Sequence, residues 1–213
     1  MENITKHYQR LLNLEHINNN SIILDIGANI GDVTNVIMKN YSPNIYCYEP
    51  NIICYNYMRK RFKKNSKIKI FNVAVSNFSG KTFLYFHKRA TNISEFNERS
   101  SLKKEKDGLD VNKKIEVNCI NIKEILEKHN QIDLIKIDIE GSEYEIMPEI
   151  IKNKDKIKMV LCETHGNPYG KKIPSVDGSK LVVKNKIWIK DYKKLIYELK
   201  EMNLYENWFY EWY

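Results

Sequence analysis

The chain has 213 residues, 42% hydrophobic and 29% charged, which supports one buried core and excludes wholesale disorder. No apolar run nears the roughly 20 residues of a membrane span, and the opening Met1-Glu2-Asn3-Ile4-Thr5-Lys6 has no apolar signal core, so a single cytoplasmic domain is expected. The net charge of +8 comes from 30 Lys and only 5 Arg; Arg is the residue suited to bidentate phosphate and base contacts, so a nucleic-acid surface is disfavoured.

Strand-like and helix-like segments alternate, the pattern of an α/β fold with a mostly parallel sheet and helices on both faces. The spacing predicts a helix over 5–17, then a strand over 21–26 whose apolar run suits burial on both faces. A helix over 32–39, a strand over 44–48 and a helix over 52–64 follow. A third strand is predicted over 67–75 and an antiparallel strand over 81–87. Residues 88–114 are polar, dense in both charge signs and predicted to be a structureless insertion or lid. Next come a strand over 115–120, a helix over 121–129 and an apolar strand over 132–139. Ser142 and Glu145 match a capping box, so a helix should start there, with Pro148 able to kink it. A strand over 157–162, a Gly- and Pro-containing loop over 165–180 and a helix over 191–202 complete the alternation. The aromatic tail, 204–213, reads as an edge strand. The four cysteines, Cys47, Cys54, Cys119 and Cys162, form no Cys-x-x-Cys pair, which excludes a zinc ribbon or redox motif.

The chemistry concentrates where predicted strands end. Leu24-Asp25-Ile26-Gly27-Ala28-Asn29-Ile30-Gly31-Asp32-Val33-Thr34 is a buried strand, a glycine turn and a helix start, the layout of a nucleoside site at the carboxyl edge of a parallel sheet. A dinucleotide turn wants a second glycine where Asn29 stands. Asp32 adds negative charge at a helix start, where a phosphate would be repelled. A cofactor without phosphates fits better, and S-adenosylmethionine is one. Tyr48-Glu49-Pro50-Asn51 places a carboxylate at the end of the next strand, suited to ribose hydroxyls. Asn72 and Ala74, ending the third, are candidates for the adenine edge.

Lys136-Ile137-Asp138-Ile139-Glu140-Gly141 puts charge into an apolar strand, which is costly unless paired or functional. Lys136 and Asp138 share one parity, and Asp138 should face the reacting methyl and the acceptor. Glu143 and Glu145 read as helix-start charges rather than catalytic groups. Glu163 and His165 follow the neighbouring strand toward the same edge, and His165 is a natural general base for a hydroxyl. Asp138, Glu140, Glu163 and His165 also suit a divalent metal, an arrangement not favoured because the spacing matches no fixed ligand motif.

These segments, together with Asn72-Val73-Ala74-Val75-Ser76, Ser100-Ser101-Leu102 and the run from Ile132 to Ile146, resemble the FkbM family of S-adenosylmethionine-dependent methyltransferases, in the family's order over about 21–165. The resemblance implies a class I methyltransferase (Rossmann-like) fold with a seven-stranded, mostly parallel sheet. It implies O-methylation of a sugar, glycan or natural product. It assigns Asp25, Gly27, Asn29 and Gly31 to the cofactor loop, Glu49 to the ribose, and Asp138, Glu140 and Gly141 to the fourth-strand motif. Ala28, Asp32, Thr34 and Pro50 complete the expected cofactor set. Lys136, Asp138, Glu140, Glu163 and His165 form the expected catalytic set, with either His165 or Asp138 as base. Asn167-Pro168-Tyr169, although close to an amino-methyltransferase element, follows the wrong strand, so oxygen is the expected acceptor. Two rival readings are methylation of RNA ribose and a non-catalytic accessory subunit that binds the same cofactor.

Overall fold

Two short apolar strands, β1 (Ile22–Ile26) and β7 (Leu134–Ile137), lie side by side at the centre of the molecule. Their residues are almost wholly buried because helices cover both faces of the sheet. The computed structural model describes residues 14, 16–91, 97, 99–165, 172–174, 180–182, 189–205 and 208–212. Beside β1 lie β2 (Asn44–Tyr48) and then β3 (Ile68–Phe71); beside β7 lie β8 (Val160–Glu163) and then β11 (Phe209–Trp212). All these pairings are parallel, in the order β11-β8-β7-β1-β2-β3. The chain runs outward from β1 in one direction, then crosses to β7 and runs outward in the other. The topological switch therefore falls between β1 and β7, where ligands bind in open parallel sheets.

On one face pack α1 (Asp32–Tyr41) and α2 (Ile52–Arg61), whose Val33, Ile37 and Met58 meet Ile23, Ile45 and Leu134. On the other pack α3 (Ile122–Leu126), α4 (Glu143–Lys152) and α5 (Ile189–Glu201), over Leu24, Ile26, Ile135 and Ile137. A second sheet, of order β4-β6-β5, joins β4 (Ala74–Ser76), β6 (Leu109–Asn121) and β5 (Gly80–His87). A separate antiparallel pair joins β9 (Lys172–Pro174) and β10 (Lys180–Val182).

Several expectations need correction. The third predicted strand is two, β3 and β4, which belong to different sheets. Between them the Asn72 amide turns back to donate to the Glu49 and Pro50 carbonyls at 2.9 Å each. The 88–114 segment is not structureless: β6 begins at Leu109, and Ser101 and Lys106 are buried. Its polar groups find partners in the protein, as the site below shows. The capping box does not form, since Ser142 makes no side-chain cap and Glu145 pairs with Lys103 instead. α4 runs through Pro148. Among the described residues the main sheet has six strands rather than seven, because the tail strand β11 pairs directly with β8. The predicted helix over 5–17 and most of the 165–180 loop lie outside the described residues.

A buried ion pair crosses the core. Lys136 on β7 and Asp25 on β1 are opposite each other in the ladder, 3% and 1% exposed, with Nζ 3.3 Å from Oδ1. The ammonium also donates to the Gly27 carbonyl at 2.7 Å, and Thr34 donates to Asp25 Oδ2 at 2.5 Å. Breaking such a pair by removing one partner leaves an uncompensated buried charge. Lys136→Met should therefore destabilise the fold by about 3–5 kcal/mol, read from urea unfolding. Adding Asp25→Asn should recover part of that loss; no recovery would show that the two groups do not compensate each other.

Candidate active site

The carboxyl ends of β1, β2 and β7 and the start of β4 open onto one cavity of about 380 Å³, the size of a small-molecule site. Its floor is the turn after β1. Gly27, Asn29 and Gly31 have φ of 78°, 49° and 81°, the left-handed region that favours glycine and tolerates asparagine. The Gly27 and Ala28 amides donate to the Tyr48 carbonyl at 3.0 and 3.2 Å, which folds the turn back onto β2. A Cβ on Gly27 would stand 1.8 Å from the Asp138 carbonyl oxygen. Glycine is thus demanded by the backbone leaving β7, not by the bound molecule alone. Asp32 lines the cavity, but its carboxylate pairs with Arg61 at 2.6 Å, and Arg61 also holds the Ile30 carbonyl.

Glu49, ending β2, is the buried carboxylate of the cavity wall. Its oxygens accept the Asn29 amide at 2.8 Å and the Asn51 amide at 2.7 Å, tying the first turn to the second. Burial pushes the carboxyl up to about 7, against the downward pull of those amides and of Lys136. Pro50, Ala74 and Val75 continue the wall.

The opposite wall follows β7. Asp138 and Glu140 line the cavity, Glu140 with a φ of 56°. Burial raises the Asp138 carboxyl above its ordinary value; Lys136, with Nζ 3.9 Å away, and His165 pull it back, while Glu140 and Glu143 add to the rise. His165 is clamped between two acids: Nε2 is 2.8 Å from Glu140 Oε2 and Nδ1 is 2.8 Å from Glu143 Oε1. Burial alone would make the imidazole less basic, but the two adjacent carboxylates raise its pKa well above the ordinary value. Both nitrogens of the expected base are thus occupied by carboxylates, whereas Asp138 lines the cavity. Burial likewise works to raise Glu140, but the charges and hydrogen bonds of His165 and Lys106 bring it down to about 2.

Of the expected residues, the structure brings Gly27, Ala28, Asn29, Asp32, Glu49, Pro50, Ala74, Lys136, Asp138, Glu140 and Glu163 to the cavity lining. Asp25, Gly31, Thr34, Asn72 and His165 stand behind that wall and brace it. One contributor escaped the sequence reading. Glu143 is fully buried, taking the Gly141 amide on Oε2 and both the His165 amide and ring on Oε1. Its signal was helical spacing, since Glu143 shares the buried face of Ile146, Met147 and Ile150. The insertion, read from the sequence as a possible lid and as the source of Ser100-Ser101-Leu102, lends Asn97, Arg99, Ser100, Ser101 and Leu102 to the rim.

A family model described as the methyltransferase FkbM domain matches residues 25–204. The chain belongs to this family. The FkbM match spans both walls of the cavity, and the fold is the class I methyltransferase fold. No curated protein matches the sequence. Among solved structures, the human methyltransferase 10 domain containing protein is similar at 10% identity and a TM-score of 0.45, over 93% of this chain and 70% of that one. The N-terminal domain of human METTL16 in complex with SAH gives 14%, 0.43, 94% and 60%. Yeast methylglyoxal/isovaleraldehyde reductase Gre2 complexed with NADPH gives 10%, 0.46, 90% and 52%. The chain thus spans between about half and seven-tenths of the length of these three.

As an FkbM methyltransferase the protein uses S-adenosylmethionine, and the cavity suits that molecule. Glu49 would hold the ribose hydroxyls, Ala74 and Val75 offer the base an apolar wall, and the Gly27–Asn29 backbone would hold the amino-acid part. No phosphate site is needed, and Asp32 with its Arg61 partner provides none. S-adenosylmethionine affinity should rise as pH climbs from 6 to 8, because the ionised Glu49 accepts hydroxyl hydrogens and its pKa lies at about 7. Glu49→Gln should remove that rise and cost about 1.5–3 kcal/mol at pH 8. Calorimetry across the pH range decides it: an unchanged pH profile in the variant would deny Glu49 this role.

The clamp also sets an acid response. Glu140 is lowered from 4.5 to about 2, so its stabilisation is complete above pH 4.5 and is lost as pH falls toward 2. His165 is raised, so its contribution is complete below 6.5 and fades only as pH rises through its elevated value. Glu140→Gln should flatten the loss of stability between pH 4.5 and 2, measured by urea unfolding at each pH.

Proposed function

We propose that this methyltransferase acts on oxygen, with a hydroxyl of a sugar, glycan or glycoconjugate as acceptor. The observation that carries this reading is the Asp138 carboxylate. It lines the cavity at the switch point, belongs to the expected catalytic set, and is made more basic by burial. When bound, S-adenosylmethionine supplies a methyl group on a sulfonium, ready for in-line displacement.

The chain's own residues do the rest. Asp138 takes the acceptor's hydroxyl proton as the oxygen attacks. Lys136 fixes the Asp138 carboxylate from one side, and the Glu140–His165–Glu143 clamp fixes the neighbouring acid. Rigid placement of this kind supplies much of the rate in a displacement between two held reactants. The rim adds hydrogen-bonding groups at Asn97, Arg99, Ser100, Ser101 and Glu163 beside the apolar Leu84 and Leu102, a mixture suited to a carbohydrate ring.

Asp138→Asn should lower turnover by about 10²–10⁴ with little change in S-adenosylmethionine affinity. The wild-type rate should rise with pH through the raised Asp138 pKa, and the variant should lose that limb. Methyl transfer to short glycans and nucleotide sugars, followed by mass spectrometry, provides the assay. Transfer to RNA with an affinity that falls steeply with salt would replace the carbohydrate acceptor by ribose. Binding of the cofactor with no turnover on any glycan or RNA would favour an accessory subunit.

A further inference from the structure

Asp138, Glu140 and His165 each offer one ligand atom, and the three atoms lie within 4.8 Å of one another. Two carboxylates and an imidazole are a donor set for a divalent ion. The arrangement behind them also fits, because Glu143 holds the second nitrogen of His165 as a carboxylate does behind a metal-bound histidine. Yet the same group of atoms already contains a cation. Lys106, from the insertion, is 9% exposed and its ammonium donates to Glu140 Oε2.

That ammonium is tethered. Its Nζ also donates to the Arg99 carbonyl at 3.0 Å, and its own amide to the Lys103 carbonyl at 3.0 Å. Ser101 exchanges backbone hydrogen bonds with Tyr85 at 2.9 and 3.0 Å and donates its hydroxyl to the Glu140 carbonyl at 2.7 Å. Lys103 pairs with Glu145 at the start of α4. The segment is thus pinned to β5 on one side and to the Glu140 turn and α4 on the other.

The cluster is rich in acids. Asp138, Glu140 and Glu143 lie together with the His165 ring between the two glutamates, and Lys136 is shared with the buried Asp25. Without Lys106 this largely buried cluster would lose the ammonium that meets Glu140, which is costly. With Lys106 in place, a divalent ion would meet a fixed ammonium across one shared oxygen.

We propose that Lys106 serves as a tethered substitute for a divalent cation in the Asp138–Glu140–His165 cluster, and as the positioning residue that holds Glu140 at the acceptor side of the cavity. The insertion is then a part of the site that supplies charge, in addition to forming its rim.

Titration with Mn²⁺ alone, followed by electron paramagnetic resonance, tests this without any acceptor, so its failure is separate from failure of the oxygen-acceptor reading. Wild type and Lys106→Arg should bind no stoichiometric Mn²⁺ at the cluster. Lys106→Met should bind it about a hundredfold or more tightly, the scale of losing one unit charge at contact distance. Lys106→Met/Glu140→Gln should lose it again. Thermal melts and S-adenosylmethionine affinity show which variants remain folded. One Mn²⁺ bound by the wild type and removed by Glu140→Gln would overturn the proposal, a result that needs no folded Lys106 variant. A folded Lys106→Met that gains no Mn²⁺ affinity would overturn it equally.

Discussion

A lysine buried in the central strand of the sheet sets the geometry of everything above it. Lys136 has one long side chain and three donors, and it spends them at the switch point between β1 and β7. It meets Asp25 across the ladder, caps the Gly27 carbonyl and stands within 3.9 Å of Asp138. The first turn of the cofactor cavity and the acid at its far wall are thus indexed to the same ammonium. Gly27 is squeezed against the Asp138 carbonyl for the same reason, since two strand exits leave the sheet side by side. A buried charge of this kind gives little net stability; it fixes the relative position of two loops that would otherwise be joined only by backbone pairing.

A second layer of charge lies along the β7 exit. Glu143, fully buried at the head of α4, holds His165; His165 holds Glu140; Lys106 holds Glu140 from the opposite side. Each link is a charged hydrogen bond in a water-poor setting, where such bonds are strong and where an unpartnered member is expensive. The histidine therefore acts as a strut. Asp138, less encumbered, keeps access to the cavity. The polar insertion is part of the same construction, because β5 and β6 carry it back over the cavity and Ser101 fastens it to the Glu140 turn.

Much of this was legible in the chain itself. The apolar runs at 21–26 and 132–139 read as buried strands, and the glycine turn after the first, with Glu49 a strand later, pointed to a nucleoside site. These are local signals, since strand burial shows in composition and a left-handed turn demands glycine or asparagine. What the chain could not show depended on partners distant in it. Nothing near His165 in sequence reveals that Glu140 and Glu143 close on both of its nitrogens. Residues 88–114 looked structureless because polar residues score as loop unless their partners are known, and theirs are Tyr85, Glu140 and Glu145. Asn72 looked like a ligand contact, yet it turns back onto Glu49 and Pro50.

The sequence by itself determined the parallel α/β sheet, the family and the list of polar residues at the strand ends, because hydrophobic periodicity, glycine placement and motif order are properties of the chain. Only the tertiary structure decided which of those residues face the cavity, which stand behind it, and which charged groups pair. Those outcomes depend on distances of about 3 Å between groups that can lie more than a hundred residues apart, such as Lys136 with Gly27, and on burial, which shifts the proton affinity of a group.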